Sequence, residues 1–347
     1  MARQTRGTRS CAHMPHSLRC GNDFVQEPFP FNIRVSMAVW NALYLKDQRF
    51  VPDAGKTPEW NHGAYLVNGL AHCATCHTPR NALMAEDDSR FLAGGSLGTW
   101  YAPNITSDAT NGIGGWSEAE LVQYLQTGRV AGKAQAAGPM AEAIEHSLQH
   151  LPDADLKSIA VYLKQTAAVG GTEAQPRYSY GTPDVKNEEA LRGATGTVDA
   201  GWRIFSGSCA ACHQATANGT GNGEYPSLFH NTATGASQPD NLIATILHGV
   251  DRTVEGHARF MPAFGDAASF TDRLSDQDIA DVSNYVLTQY GNPATAKVSA
   301  SDVAVLRAGG KPPFLAQVRP LILPALVVVV LAVIAFAVLR GRRKQSA

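Results

Sequence analysis

The chain has 347 residues, enough for two or three compact domains, and its 44% hydrophobic and 17% charged content excludes an intrinsically disordered protein. Its formal net charge of -1 excludes the basic surface that a nucleic-acid binder carries.

Residues 1–50 read as an N-terminal remnant and linker. Arg3, Arg6 and Arg9 make a basic start, but residues 1–27 hold no apolar run of the kind an export signal needs. The more apolar stretch 35–45 is interrupted by Asn41, and no small-residue cleavage site follows it. Cys11 and Cys20 are separated by eight residues, with no histidine immediately after either.

Residues 51–169 read as the first domain. A short helix is expected at Trp60-Asn61-His62-Gly63-Ala64-Tyr65, leading into Cys73-Ala74-Thr75-Cys76-His77. The pattern C-x-x-C-H reads as c-type haem attachment: two thiols about one helical turn apart add to the two vinyl groups of one haem, and the next imidazole faces the iron. Arg80 follows closely and is a candidate partner for a haem propionate, against a solvated surface role. Pro103-Asn104 is expected to shape the loop beside the haem, and Trp116 is weighed between a propionate hydrogen bond and plain packing. A helix over 121–127 is expected to stop at Gly128. Met140, twelve residues further on, is the candidate sixth iron ligand; Met84, His146 and His150 are the rivals. A closing helix begins at Leu151-Pro152-Asp153-Ala154-Asp155-Leu156 and continues through Ile159, Tyr162 and Leu163, one apolar face at three- and four-residue intervals. The aspartates are expected to cap its start.

After a linker at 170–196, rich in Gly, Thr, Pro and charge, residues 197–292 repeat the plan. Ala200-Gly201-Trp202-Arg203-Ile204-Phe205 leads into Cys209-Ala210-Ala211-Cys212-His213. Residues 226–228 are expected to shape the loop beside this second haem. A helix over 242–248 stops at Gly249, and twelve residues later comes Met261, with His257 as its rival ligand. The closing helix opens with Leu274-Ser275-Asp276-Gln277-Asp278-Ile279 and continues through Val282, Tyr285 and Val286. A redox dithiol would leave the trailing histidines unexplained, and so would one zinc site built from two pairs that stand 136 positions apart.

Residues 293–319 read as a tether. The uncharged run 321–339, 19 residues long, then reads as the core of a transmembrane helix at 320–340. The basic cluster at 340–344 and the tail 341–347 would stay cytoplasmic, placing the haem domains on the periplasmic side of a bacterial inner membrane. The expected fold is mainly α: two class I cytochrome c-like domains in tandem plus one C-terminal transmembrane helix.

Further residues carry a family resemblance. They are Gly63-Ala64-Tyr65-Leu66-Val67, the stretch 73–81, Tyr101-Ala102-Pro103-Asn104-Ile105-Thr106, Gly112-Ile113-Gly114-Gly115-Trp116-Ser117, Gly138-Pro139-Met140, Glu145-His146-Ser147-Leu148 and Met261-Pro262-Ala263-Phe264. From about residue 28 onward the chain resembles the cytochrome c subunit of bacterial membrane-bound alcohol, aldehyde, gluconate, sorbitol and fructose dehydrogenases. The two motifs and the repeat spacing point to two covalently bound haem c groups on Cys73, Cys76, Cys209 and Cys212, with iron held by His77, Met140, His213 and Met261. The resemblance implies a relay that is not catalytic alone. Electrons would come from a separate catalytic subunit carrying flavin, pyrroloquinoline quinone or molybdopterin, and pass to ubiquinone or a terminal oxidase. Members usually carry three haem domains behind a signal peptide; here 28–50 resembles the linker after the first, and the expectation is an N-terminus lacking that domain. Two other readings stand beside this one: a dihaem peroxidase-like enzyme, which needs an open sixth site, and a haem subunit of another respiratory complex.

Overall fold

The computed structural model describes residues 34–46, 48–184 and 199–318, together with residues 320, 321, 324, 328, 331 and 332. Residues 49–317 form one compact unit that holds both repeats. In the other unit the Arg34–Tyr44 helix brings the rings of Trp40 and Tyr44 to 5.3 Å.

Each repeat opens on a capped helix that leads into the cysteine turn. Thr57 Oγ1 accepts from the Trp60 N–H at 3.1 Å, and Pro58 supplies a preset φ for the Pro58–Tyr65 helix. In the second repeat Asp199 accepts from the Gly201 N–H at 2.6 Å and starts Ala200–Ile204. Both helices then widen into a π turn, Leu66–Leu70 and Phe205–Cys209, before the short helices Ala74–His77 and Ala210–His213.

Each repeat closes on a longer helix, Asp153–Leu163 and Asp276–Tyr290, which crosses the opening one at a glycine. A methyl group on Gly63 would lie 1.9 Å from the Ser158 carbonyl oxygen, and one on Gly201 would lie 2.3 Å from that of Asp281. The missing side chain lets the backbones touch. Around the first crossing pack Val67, Leu92, Ile159 and Leu163; around the second, Phe205, Ile279, Val282 and Val286. Burying each such side chain stabilises the fold by about 1.5–3 kcal/mol.

The expected middle helices form as Glu118–Thr127 and Asp240–His248, and both stop at the expected glycines. Gly128 adopts the left-handed conformation at φ 71°, and its N–H donates to Tyr124 O at 2.8 Å. The caps divide. Ser275 and Asp278 form a reciprocal capping box, as do Ser117 and Glu120. The expectation that aspartates cap the first closing helix is corrected: its N-cap is Pro152, which has no side-chain acceptor, and Asp155 bonds His62 Nε2 at 2.8 Å instead.

Three two-stranded antiparallel sheets are found among the described residues: Gly95–Leu97 with Trp100–Ala102, Arg129–Val130 with Ala134–Gln135, and Val250–Val254 with His257–Met261. They join the repeats. Asn241 Nδ2 donates to Tyr101 O at 2.8 Å while its Oδ1 accepts from the Tyr101 N–H at 2.9 Å. Val254 of the second repeat packs with Ala136, Ala141, Ile144 and Leu148 of the first.

Two C-terminal expectations change. The supposed tether holds the Ala300–Arg307 helix, capped by Ser299 and Asp302, which buries Val303 and Leu306 against the second core. Arg307 Nε donates to Asp276 Oδ1 at 2.7 Å and fixes the helix further. The expected transmembrane helix is overturned: among the described residues no helix is long and apolar enough to cross a membrane. With it goes the single-pass inner-membrane placement with periplasmic haem domains and a cytoplasmic tail. Of the run 321–339, only 321, 324, 328, 331 and 332 are described; the rest, like the basic cluster and residues 1–33, lies outside the described residues.

Candidate haem-attachment sites

In both repeats a proline carbonyl fixes the histidine that follows the second cysteine. His77 Nδ1 lies 2.7 Å from Pro103 O, and His213 Nδ1 lies 2.9 Å from Pro226 O. A carbonyl oxygen only accepts, so each Nδ1 carries the proton and each Nε2 keeps its lone pair for a metal. Burial lowers the pKa of both imidazoles, against the raising effect of the proline bond; the charge of Arg177 lowers His77 further. Both rings are therefore held in the neutral, metal-ready form.

The two proline loops are anchored differently. Asn104 is buried; its Nδ2 donates to Val169 O at 2.8 Å and its Oδ1 accepts from the Thr106 N–H at 2.8 Å. That bond network holds Pro103 against His77. In the second repeat the Leu228 N–H donates to Ala217 O at 3.0 Å and the Gly219 N–H to His213 O at 2.9 Å.

The four cysteines of the two turns are free thiols in partly buried positions. Burial pushes the Cys73 thiol up to about 11 and the Cys209 thiol up to about 12. No cluster of three or more His, Cys, Asp or Glu side chains suited to a metal ion occurs among the described residues.

Cys209, Cys212, His213 and Met261 face one cavity, walled by apolar groups that include Phe205, Leu242, Ile246 and Phe264. The donor set fits a covalently bound haem: two thiols on one side, an imidazole with a free Nε2, a thioether, and an apolar enclosure. His257, the rival ligand, is exposed on the strand that ends at Met261. In the first repeat Cys73, Cys76 and His77 share one turn. Met140 lies outside it, on the opening turn of the Gly138–His146 helix, and packs against the cluster of Ala136, Ile144 and Val254. Met140 is thus helical, while Met261 ends a strand. His146, His150 and Met84 are exposed.

Arg80 is engaged elsewhere, donating to Thr75 O at 2.7 Å and facing Glu86 at 3.6 Å. Trp116 is buried edge-on to Tyr124 and Tyr178, with the Lys133 ammonium over its ring. Both therefore have packing or pairing roles that need no haem. Two residues that sequence reasoning passed over, Gln135 and Ala137 of the first repeat, line the cavity of the second. Their only sequence signal is one polar side chain between small ones.

The Cytochrome c family matches residues 198–289, the second repeat. The expectation of two class I cytochrome c-like domains is corrected to one matched domain; the first repeat differs in the long segment 78–117 between its cysteine turn and the next helix, and in its helical Met140. The chain is 47% identical over 295 residues to the fructose dehydrogenase cytochrome subunit of Gluconobacter japonicus, covering 82% of this chain and 60% of that one. It is 37% identical over 297 residues to the gluconate 2-dehydrogenase cytochrome c subunit of Pantoea cypripedii, covering 81% and 63%. It is 33% identical over 294 residues to the cytochrome c subunit of the alcohol dehydrogenase (quinone) of Gluconobacter oxydans (strain 621H), covering 82% and 59%. The chain thus spans about 60% of the length of these relatives. A cytochrome c domain implies covalently bound haem c, and electron transfer is the chemistry consistent with it. Residues 198–289 thus belong to the Cytochrome c family, and the chain as a whole is similar to the cytochrome c subunits of fructose, gluconate and alcohol dehydrogenases.

Proposed function

We propose that the chain carries two covalently attached haem c groups, on Cys73 and Cys76 and on Cys209 and Cys212, and relays electrons from a catalytic dehydrogenase subunit to ubiquinone or a terminal oxidase. The observation that carries this reading is the pair of C-x-x-C-H turns, each with its histidine Nδ1 held by a proline carbonyl. When bound, the haem iron supplies one-electron chemistry. His77 and His213, with Met140 and Met261, would be the residues that hold the iron. A thioether raises the reduction potential relative to a second imidazole, and the cavity around Met261 is walled mostly by apolar groups. The partner's cofactor is of the flavin, pyrroloquinoline quinone or molybdopterin type.

A peroxidase needs a displaceable sixth ligand, and the position of Met261 on the wall of the His213 cavity weighs against it. The test is a pyridine haemochrome assay on the full chain, matured in cells that attach haem c, with spectra of Met140→Ala and Met261→Ala. Two haems per chain, with part of the weak far-red methionine–iron band lost in each variant, is the expected result. A single haem, or a high-spin haem with peroxide turnover in the unaltered chain, would sink it.

A further inference from the structure

We propose that the first repeat completes the second haem site: the side-chain amide of Gln135 hydrogen-bonds a propionate of the haem attached at Cys209 and Cys212. This rests on the reading that the second repeat carries a haem.

Gln135 sits on the short strand Ala134–Gln135, whose backbone is clamped on both sides. It pairs with Arg129 in the antiparallel register, the Ala136 N–H donates to Gly128 O at 2.8 Å, and Ala136 O accepts from Arg252 Nη1 at 2.7 Å. Ala134 belongs to the first core, and Ala136 to the cluster beside it. Side chains alternate along a strand, so Gln135 points away from both alanines, and it lines the cavity of Cys209, Cys212, His213 and Met261. The hairpin that carries it docks on the same cavity's rim: a methyl on Gly223 would fall on the Arg129 guanidinium, next to the cavity residues Glu224 and Tyr225.

The amide oxygen of Gln135 is buried and has no hydrogen-bond partner. Such a group is destabilising if it stays unpaired. Four other polar groups that line the cavity are bonded elsewhere. His213 Nδ1 is bonded to Pro226 O, Thr234 Oγ1 to Leu228 O, Thr245 Oγ1 to Asn241 O, and Glu224 to Arg259. A haem brings hydrogen-bonding atoms at its periphery only as propionate carboxylates. Amide oxygen and nitrogen exchange by a half-turn, so Nε2 can donate to that carboxylate from the same place. The donor holds the propionate ionised and offsets the charge that would otherwise favour the oxidised iron.

The test is spectroelectrochemical titration of the full chain and of Gln135→Leu, which keeps the bulk and removes the donor. The site is assigned with a Cys209→Ser, Cys212→Ser chain that lacks the second haem. Gln135→Leu is expected to keep two haems and to lower the reduced-to-oxidised ratio of the second site alone by about threefold at fixed potential, on the order of 30 mV. The pH at which that potential becomes pH-dependent should also move up, a change that loosened packing would not produce. Gln135→Glu should move it further in the same direction. No shift, or a shift of the first site only, overturns the proposal. A chain with no haem at the second motif overturns the two-haem reading and this inference with it, and the haemochrome count separates that failure from the other two.

Discussion

Arg252 of the second repeat reaches into the first and donates through Nη1 to the carbonyl oxygen of Ala136 at 2.7 Å, with the residue only 1% exposed. The same nitrogen lies 3.4 Å from Gly128 O, the carbonyl of the helix-stop glycine. The repeats are thus held together by a buried cation on two backbone acceptors, and Arg252→Ala removes both bonds and opens a cavity. The expected loss is about 2–4 kcal/mol, read as the urea midpoint of the full chain. Arg252→Lys should recover little of it, because an ammonium cannot reproduce the fork of the guanidinium. Midpoints equal to the unaltered chain in both variants would show that the contact is incidental.

The crossings at Gly63 and Gly201 predict a sign that helix propensity alone gets wrong. Alanine is better than glycine inside a helix by about 1 kcal/mol. Here the added methyl would sit 1.9 Å from Ser158 O in one repeat and 2.3 Å from Asp281 O in the other. Gly63→Ala and Gly201→Ala should therefore each destabilise by about 1–3 kcal/mol, and valine by more. Gly69→Ala, where a methyl meets nothing within 4 Å, is the control and should be near neutral in the same thermal melts.

What the sequence carried was local. The two C-x-x-C-H turns and the glycine stops at 128 and 249 depend on residues a few positions apart, and all are found. Equal spacing from glycine to methionine did not carry the backbone between them: Met140 falls on a helix started by Gly138 and Pro139, whereas Met261 ends a hairpin strand. Asp155 looked like a cap and instead answers His62, 93 positions away. Gln135 and Arg252 left no periodic trace, since each owes its role to a contact with the other repeat. Nor did the segment beyond residue 292 show that Val303 and Leu306 would find a place on the second core.

The loop over 108–112 predicts how acid weakens the first repeat. Asp108 Oδ1 accepts from the Asn111 N–H at 2.6 Å, the Thr110 N–H at 3.0 Å and Asn111 Nδ2 at 3.2 Å. The Asn111 backbone bond is the largest cause holding its carboxyl below the usual range, with burial opposing. A carboxyl whose pKa is depressed by folding stabilises the fold above its unfolded value, near 3.9, and loses that contribution as pH falls through the folded value. In Asp108→Asn the amide still accepts but carries no charge. The gap in urea midpoint between the unaltered chain and this variant should therefore be constant above about pH 5 and shrink below about pH 4. A gap that persists unchanged to the lowest pH would mean that the loop depends on the shape of Asp108 and not on its charge.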